Sequence, residues 1–152
     1  MWSKNYSTYL VGNIDFNSVS SMDACDKSLE NVFTPFIIGS ISFNEIKKIF
    51  IKIKNTAISE FIKKSEKIDI EEVLKKAESI GLKKNNDYGS DNILKYGIIG
   101  IIVRIGDKIA RYQNLIKDSS KQMVMDEKIE DTLMDIVNYA TYGEMLSDGV
   151  WS

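Results

Sequence analysis

Between Asp126 and Leu146 the chain reads DEKIEDTLMDIVNYATYGEML, and its acids recur at helical spacing. Wound at about 100° per residue, the segment puts Glu127, Asp131, Asp135, Asn138 and Tyr142 on one narrow stripe. Ile129, Leu133, Ile136 and Ala140 fall roughly opposite. Glu127–Asp131 and Asp131–Asp135 are i,i+4 like-charge pairs, each destabilising an isolated helix by about 0.2–0.5 kcal/mol. Lys128 is the single base in the segment. A row of carboxylates without local counter-charge calls for a cation, either a metal ion or basic groups of a neighbouring helix. A face turned to solvent is the plainer alternative.

A basic set stands upstream. Arg104, Asp107, Lys108 and Arg111 share one side of a helical stretch, with Gly97 and Gly100 one and two turns earlier on that side. Arg and Lys on one face clamp phosphate, Arg through its planar fork. Glycine leaves room for a ligand to approach the backbone. Alone, Asp107–Arg111 reads as an ordinary surface pair; opposite an acidic helix it becomes one wall of a cleft. Between Lys83 and Gly89 the residues KKNNDYG suit a tight turn, on which Tyr88 is either a stacking platform for a base or a lid on the core.

Helices must hold these groups. Ser42-Phe-Asn-Glu45 and Asp69-Ile-Glu-Glu72 are capping boxes. The first opens a helix whose apolar side is Phe43, Ile46, Ile49, Phe50, Ile53, Ala57 and Phe61, with its lysines on the other side. The second opens one carrying Val73, Leu74, Ala77 and Ile80 and ending near Lys84. A third runs from about Ile98 to Lys117 on Ile98, Ile101, Ile102, Ile105, Ile109, Tyr112 and Ile116, and a polar linker, KDSSKQ, leads to the acidic fourth. Four helices with short links form a bundle. Residues 1–42 read differently: TYLVGNI and PFIIGSI suit short strands, and SSMDACDKSLENVF a helix capped by Ser20 or Ser21. The expected fold is mainly α, a four-helix bundle-like core over 43–146 with a small N-terminal α+β appendage over 1–42 and a tail over 147–152.

Composition narrows the chemistry. The 152 residues, 43% hydrophobic and 28% charged, suffice for one folded core. There is no histidine, which removes the usual general base, and the single cysteine, Cys25, permits neither an intrachain disulfide nor a cysteine-built zinc site. No apolar run approaches a membrane span and the first residues lack signal-peptide character, so a soluble, cytoplasmic protein without a membrane partner is expected. A net charge of −2 disfavours nucleic acid as a partner. The charge is uneven: residues 43–85 hold eleven Lys against seven acids, or +4, and residues 126–148 hold seven acids against Lys128, or −6. Basic and acidic walls should therefore face each other.

Lys84-Asn-Asn-Asp-Tyr-Gly89, Val103-Arg-Ile-Gly-Asp-Lys-Ile-Ala-Arg111 and Asp126-Glu-Lys-Ile-Glu-Asp-Thr-Leu-Met-Asp-Ile-Val-Asn-Tyr-Ala140, in this order, resemble the nucleotide modification associated domain of bacteriophages. That family is thought to be related to the MazG-like all-alpha NTP pyrophosphatases, and the resemblance covers roughly residues 70–146. It implies a helical protein that handles nucleotides in the cytoplasm, the host's if phage-encoded, as a homo-oligomer, a dimer or tetramer. It implies Mg²⁺ held by carboxylates from two helices. The matching acids are Glu127, Asp131 and Asp135, with Glu130 adjacent; Asp87 and Asp107 are the substitutes for the acid that the other helix would supply. Lys84, Asp87, Tyr88, Arg104, Lys108, Arg111, Asn138 and Tyr142 would bind the nucleotide.

One departure weighs on the activity. The pyrophosphatases carry a Glu-Glu-x-x-Glu helix motif, whereas Glu71-Glu72 is followed here by Lys75 and Lys76. Two readings follow: a protein that binds a nucleotide without turnover, such as a phage product sequestering a host signalling nucleotide, or a Mg²⁺-dependent nucleotide pyrophosphohydrolase.

Overall fold

The computed structural model describes residues 1–65, 68–117 and 126–151. Among them are six α-helices and no strand: α1 (Trp2–Val11), α2 (Met22–Ile37), α3 (Phe43–Lys64), α4 (Ile70–Tyr88), α5 (Asp91–Lys117) and α6 (Glu127–Ser147), with a 3-10 turn at Phe16–Ser18. The protein is mainly α, as expected. The polar linker after Lys117 lies outside the described residues.

Helix starts follow the capping chemistry. Ser42 Oγ accepts from Glu45 N at 3.1 Å, and the Glu45 side chain returns to the Ser42 backbone, completing the box. Asp69 accepts from Glu72 N, Asp126 from Ile129 N and Ser21 from Ala24 N. Each bond satisfies one of the orphan amides of a first turn.

The two expected strands are a correction. TYLVGNI is the last turn of α1 and the residues after it, and PFIIGSI is the end of α2 and its exit through Gly39. Short apolar runs read equally well as strand or buried helix. Spacing decides for helix in α1, because Tyr6 and Leu10, one turn apart, are both fully buried. With no second strand to pair, a lone extended segment would also leave its amides unsatisfied. Nor do residues 1–42 stand apart: α1 packs on α6 and α4, and α2 on α3 and α5.

α6 is the central helix, touching α1, α3, α4 and α5. Thr132 through Asn138 and Ala140 through Met145 are buried, so the acidic stripe does not lie open to solvent along its length. Asp135, Asn138 and Tyr142 are inside; Glu127 and Asp131, nearer the helix start, are exposed. At the tightest seam, a Cβ on Gly143 would stand 2.5 Å from the Phe50 ring, so α3 and α6 approach closely only because Gly143 has no side chain.

Nor do all the lysines of α3 point outward. Lys54, Asn55 and Thr56 are buried, and they satisfy the chain between α1 and α2. Lys54 Nζ donates to the carbonyls of Tyr9 (2.9 Å) and Gly12 (2.7 Å) and sits 2.7 Å from Glu144 Oε2. Asn55 Oδ1 accepts from Asp15 N, and Thr56 Oγ1 accepts from Ser20 N. Burial pushes the Lys54 pKa down and the Glu144 pKa up, each opposed by the other's charge.

Candidate functional site

A cleft of about 360 Å³ opens where α1, α4, α5 and α6 meet. At its charged end stands Asp135, only 7% exposed. Lys84 Nζ of α4 lies 2.5 Å from Asp135 Oδ1, and Lys108 Nζ of α5 lies 2.9 Å from Asp135 Oδ2. One carboxylate thus anchors two ammoniums from different helices, and both lysines keep partial exposure to the cleft.

Local structure brings these groups together. α4 does not end near Lys84; it continues through Asn85, Asn86, Asp87 and Tyr88. Gly89 terminates it at φ +77, its N–H donating to Asn85 O at 2.7 Å. Lys84, Asn85 and Tyr88 consequently line the cleft from one helical face.

α5 is broken at Gly97, whose φ of 59° and ψ of −148° belong to glycine almost alone. Ile93 and Lys108 both line the cleft although a straight helix would separate them by about 22 Å. The break redirects the first turns of α5 toward the rim. Gly97→Ala should therefore cost about 1–3 kcal/mol of stability, measured by urea unfolding, and should weaken any ligand of the cleft. An unchanged midpoint would mean that this backbone angle is not enforced.

The opposite wall is aromatic. Trp2 stacks on Tyr6 with centroids 5.1 Å apart and meets the Trp151 ring edge-on at 5.5 Å. Tyr142 packs against Trp2, Tyr6, Tyr139 and Trp151. Trp151 Nε1 donates to Ser90 O at 2.9 Å, tying the end of the described chain to the α4–α5 turn. Burial, aided by Tyr139 and the Asp135 charge, pushes the Tyr142 pKa up, so its hydroxyl stays a neutral donor at pH 7. Asn138 is largely committed: its Oδ1 is 2.5 Å from Tyr6 Oη and its Nδ2 donates to Ala77 O at 3.0 Å. Its second amide N–H has no partner among the described residues.

Of the residues singled out from the sequence, Lys84, Tyr88, Lys108, Asp135, Asn138 and Tyr142 converge on the cleft. The others do not line it. Arg111 turns to α6, donating from Nε to Thr132 Oγ1 at 3.1 Å, and Arg104 has Nη1 buried without a hydrogen-bond partner among the described residues. Asp87, Asp107, Glu127 and Asp131 are exposed outside the cleft. The acidic stripe has one direction, yet the other helices cover it only from Asp135 onward.

The residues present do not fit a Mg²⁺ ion. Asp135 is the single acid among the described lining residues, and a lysine sits against each of its oxygens. No group of three or more acids or cysteines among the described residues could hold a metal. Hard divalent cations need several oxygen ligands free of competing ammoniums.

Sequence reasoning missed Trp2, Asn85, Gly89, Asn92, Ile93 and Tyr139 as lining residues. Asn85 lay inside a quoted motif and Tyr139 beside Asn138. Nothing local marked Trp2, which reaches the cleft from the other end of the chain.

Residues 84–145 match the family model described as nucleotide modification associated domain 1. No curated protein and no solved structure matches the chain.

Proposed function

We propose that the cleft binds a nucleotide and that the protein holds it without turnover. The observation that carries this is the Lys84–Asp135–Lys108 arrangement at one end of an aromatic- and amide-lined cleft. Every lining residue but Trp2 falls within the segment that matches the nucleotide modification family. Lysines are phosphate ligands, tyrosine and tryptophan faces accept a base or sugar, and Asn85 and Asn92 supply donors and acceptors for a base edge. A single carboxylate neutralised by two lysines is poorly placed to hold metal or activate water. Binding is therefore the better supported activity.

Kinship with the all-alpha pyrophosphatases, a sequestering role and assembly into a homo-oligomer belong to the same proposal.

Ribo- and deoxyribonucleotides would be titrated while following the fluorescence of the two tryptophans, both of which adjoin the cleft. The expected result is a bound nucleotide that survives EDTA and is recovered unaltered on denaturation. Release of pyrophosphate and a nucleoside monophosphate with Mg²⁺ would establish the pyrophosphohydrolase reading instead. Failure of every nucleotide to bind would remove both.

A further inference from the structure

We infer that the cleft takes a nucleotide carrying a single phosphate, a nucleoside monophosphate, and discriminates against di- and triphosphates; this rests on the nucleotide reading of the same cleft. Charge is the first argument. The lining holds two cations, Lys84 and Lys108, and one anion, Asp135. An ammonium has three N–H donors. The one hydrogen bond of Lys84 goes to Asp135, and Lys108 is paired with Asp135 alone among the described residues. Each lysine therefore retains donors for a further anion. With Asp135 counted the lining carries +1, so a phosphate monoester of about −1.5 to −2 at pH 7 brings the site within about one charge of neutral. Each further phosphate adds negative charge that no other cation among the described lining residues meets. Asp135, fixed between the lysines, repels the excess.

Metal does not resolve that mismatch. A polyphosphate is ordinarily held with Mg²⁺ bridging its oxygens to protein carboxylates, and the single carboxylate here is already engaged at both oxygens. Size is the second argument. At about 360 Å³ the cleft stands near the lower end of ligand pockets, roughly 300–1,000 Å³. A base and sugar between Trp2, Tyr88, Tyr139 and Tyr142, with one phosphate at the lysines, uses that space.

The test compares a nucleoside with its mono-, di- and triphosphate, and with inorganic phosphate, by tryptophan fluorescence and calorimetry in EDTA and again with Mg²⁺. A panel covers the common ribo- and deoxyribonucleosides. The expected result is a monophosphate bound about ten- to a hundredfold more tightly than its nucleoside, and at least as far ahead of the triphosphate, with no requirement for Mg²⁺. Lys84→Gln and Lys108→Gln should bring the ratio of monophosphate to nucleoside affinity from about ten- to a hundredfold toward unity, a change that general misfolding, which lowers both affinities together, would not give. A triphosphate bound as tightly as the monophosphate, with or without Mg²⁺, would overturn the inference and leave the nucleotide reading standing. Inorganic phosphate binding as tightly as the monophosphate would also overturn it, showing that the base and sugar are not read. No binding by any nucleotide would overturn the nucleotide reading itself.

Discussion

Replacing Lys54 with methionine is expected to lower the unfolding free energy by about 3–5 kcal/mol. For a chain of this size that corresponds to about 6–20 °C in Tm. Lys54 and Glu144 are both fully buried, and their charged atoms are 2.7 Å apart. Removal of one leaves the other desolvated and unpaired, which costs far more than the pair contributes. Glu144→Gln should have the same sign, because the buried Lys54 ammonium then loses its counter-charge. The double variant Lys54→Met, Glu144→Leu should recover much of the loss. It should not recover all of it, since the Tyr9 and Gly12 carbonyls lose their shared donor and Asn13 Nδ2 loses its acceptor. Denaturant unfolding of the four proteins gives the coupling directly. A loss below about 1 kcal/mol in both single variants, the range of exposed ion pairs, would show that water reaches the site.

The second large effect is expected from Lys84 and Lys108 together. Their joint replacement by alanine should reduce monophosphate affinity by about ten- to a hundredfold, to the level of the nucleoside, since the charge-assisted phosphate contacts are lost. It should also destabilise the protein, because Asp135 would remain as a nearly buried carboxylate without a partner. Adding Asp135→Asn separates the two consequences. The triple variant should regain stability, because the amide carries no charge, and should still fail to bind. Recovery of binding together with stability would show that the lysines act through the fold and not on the ligand. Asp135→Asn alone also tests the metal expectation. If Asp135 were a Mg²⁺ ligand, calorimetry would show Mg²⁺ affinity lost; as the anchor of two lysines, it should change nucleotide affinity with no Mg²⁺ signal to lose.

The helices were legible because their signals are local. Ser42 with Glu45, Asp69 with Glu72 and the isoleucine spacing of α5 depend on residues within one or two turns, and a helix closes its hydrogen bonds within the same distance. The same locality placed Lys84, Lys108 and Asp135 on their helices and gave each its charge. What the sequence by itself determined is thus a mainly α protein with a basic set and an acidic set on separate helices. Tertiary structure decided the rest. α6 became the central helix, turning half of its polar stripe into cleft wall, because four other helices pack around it. That choice left Glu127 and Asp131 in solvent and gave Asp135 two lysines, which no spacing rule specifies. The TYLV of TYLVGNI became helix because Tyr6 and Leu10 could be buried one turn apart against α4 and α6. Lys54, one lysine among many in α3, became the buried partner of Glu144 ninety residues away. Trp2 reached the cleft by the same kind of long-range packing. Burial and partner charge are sums over distant neighbours, so only the folded chain fixes which polar groups meet.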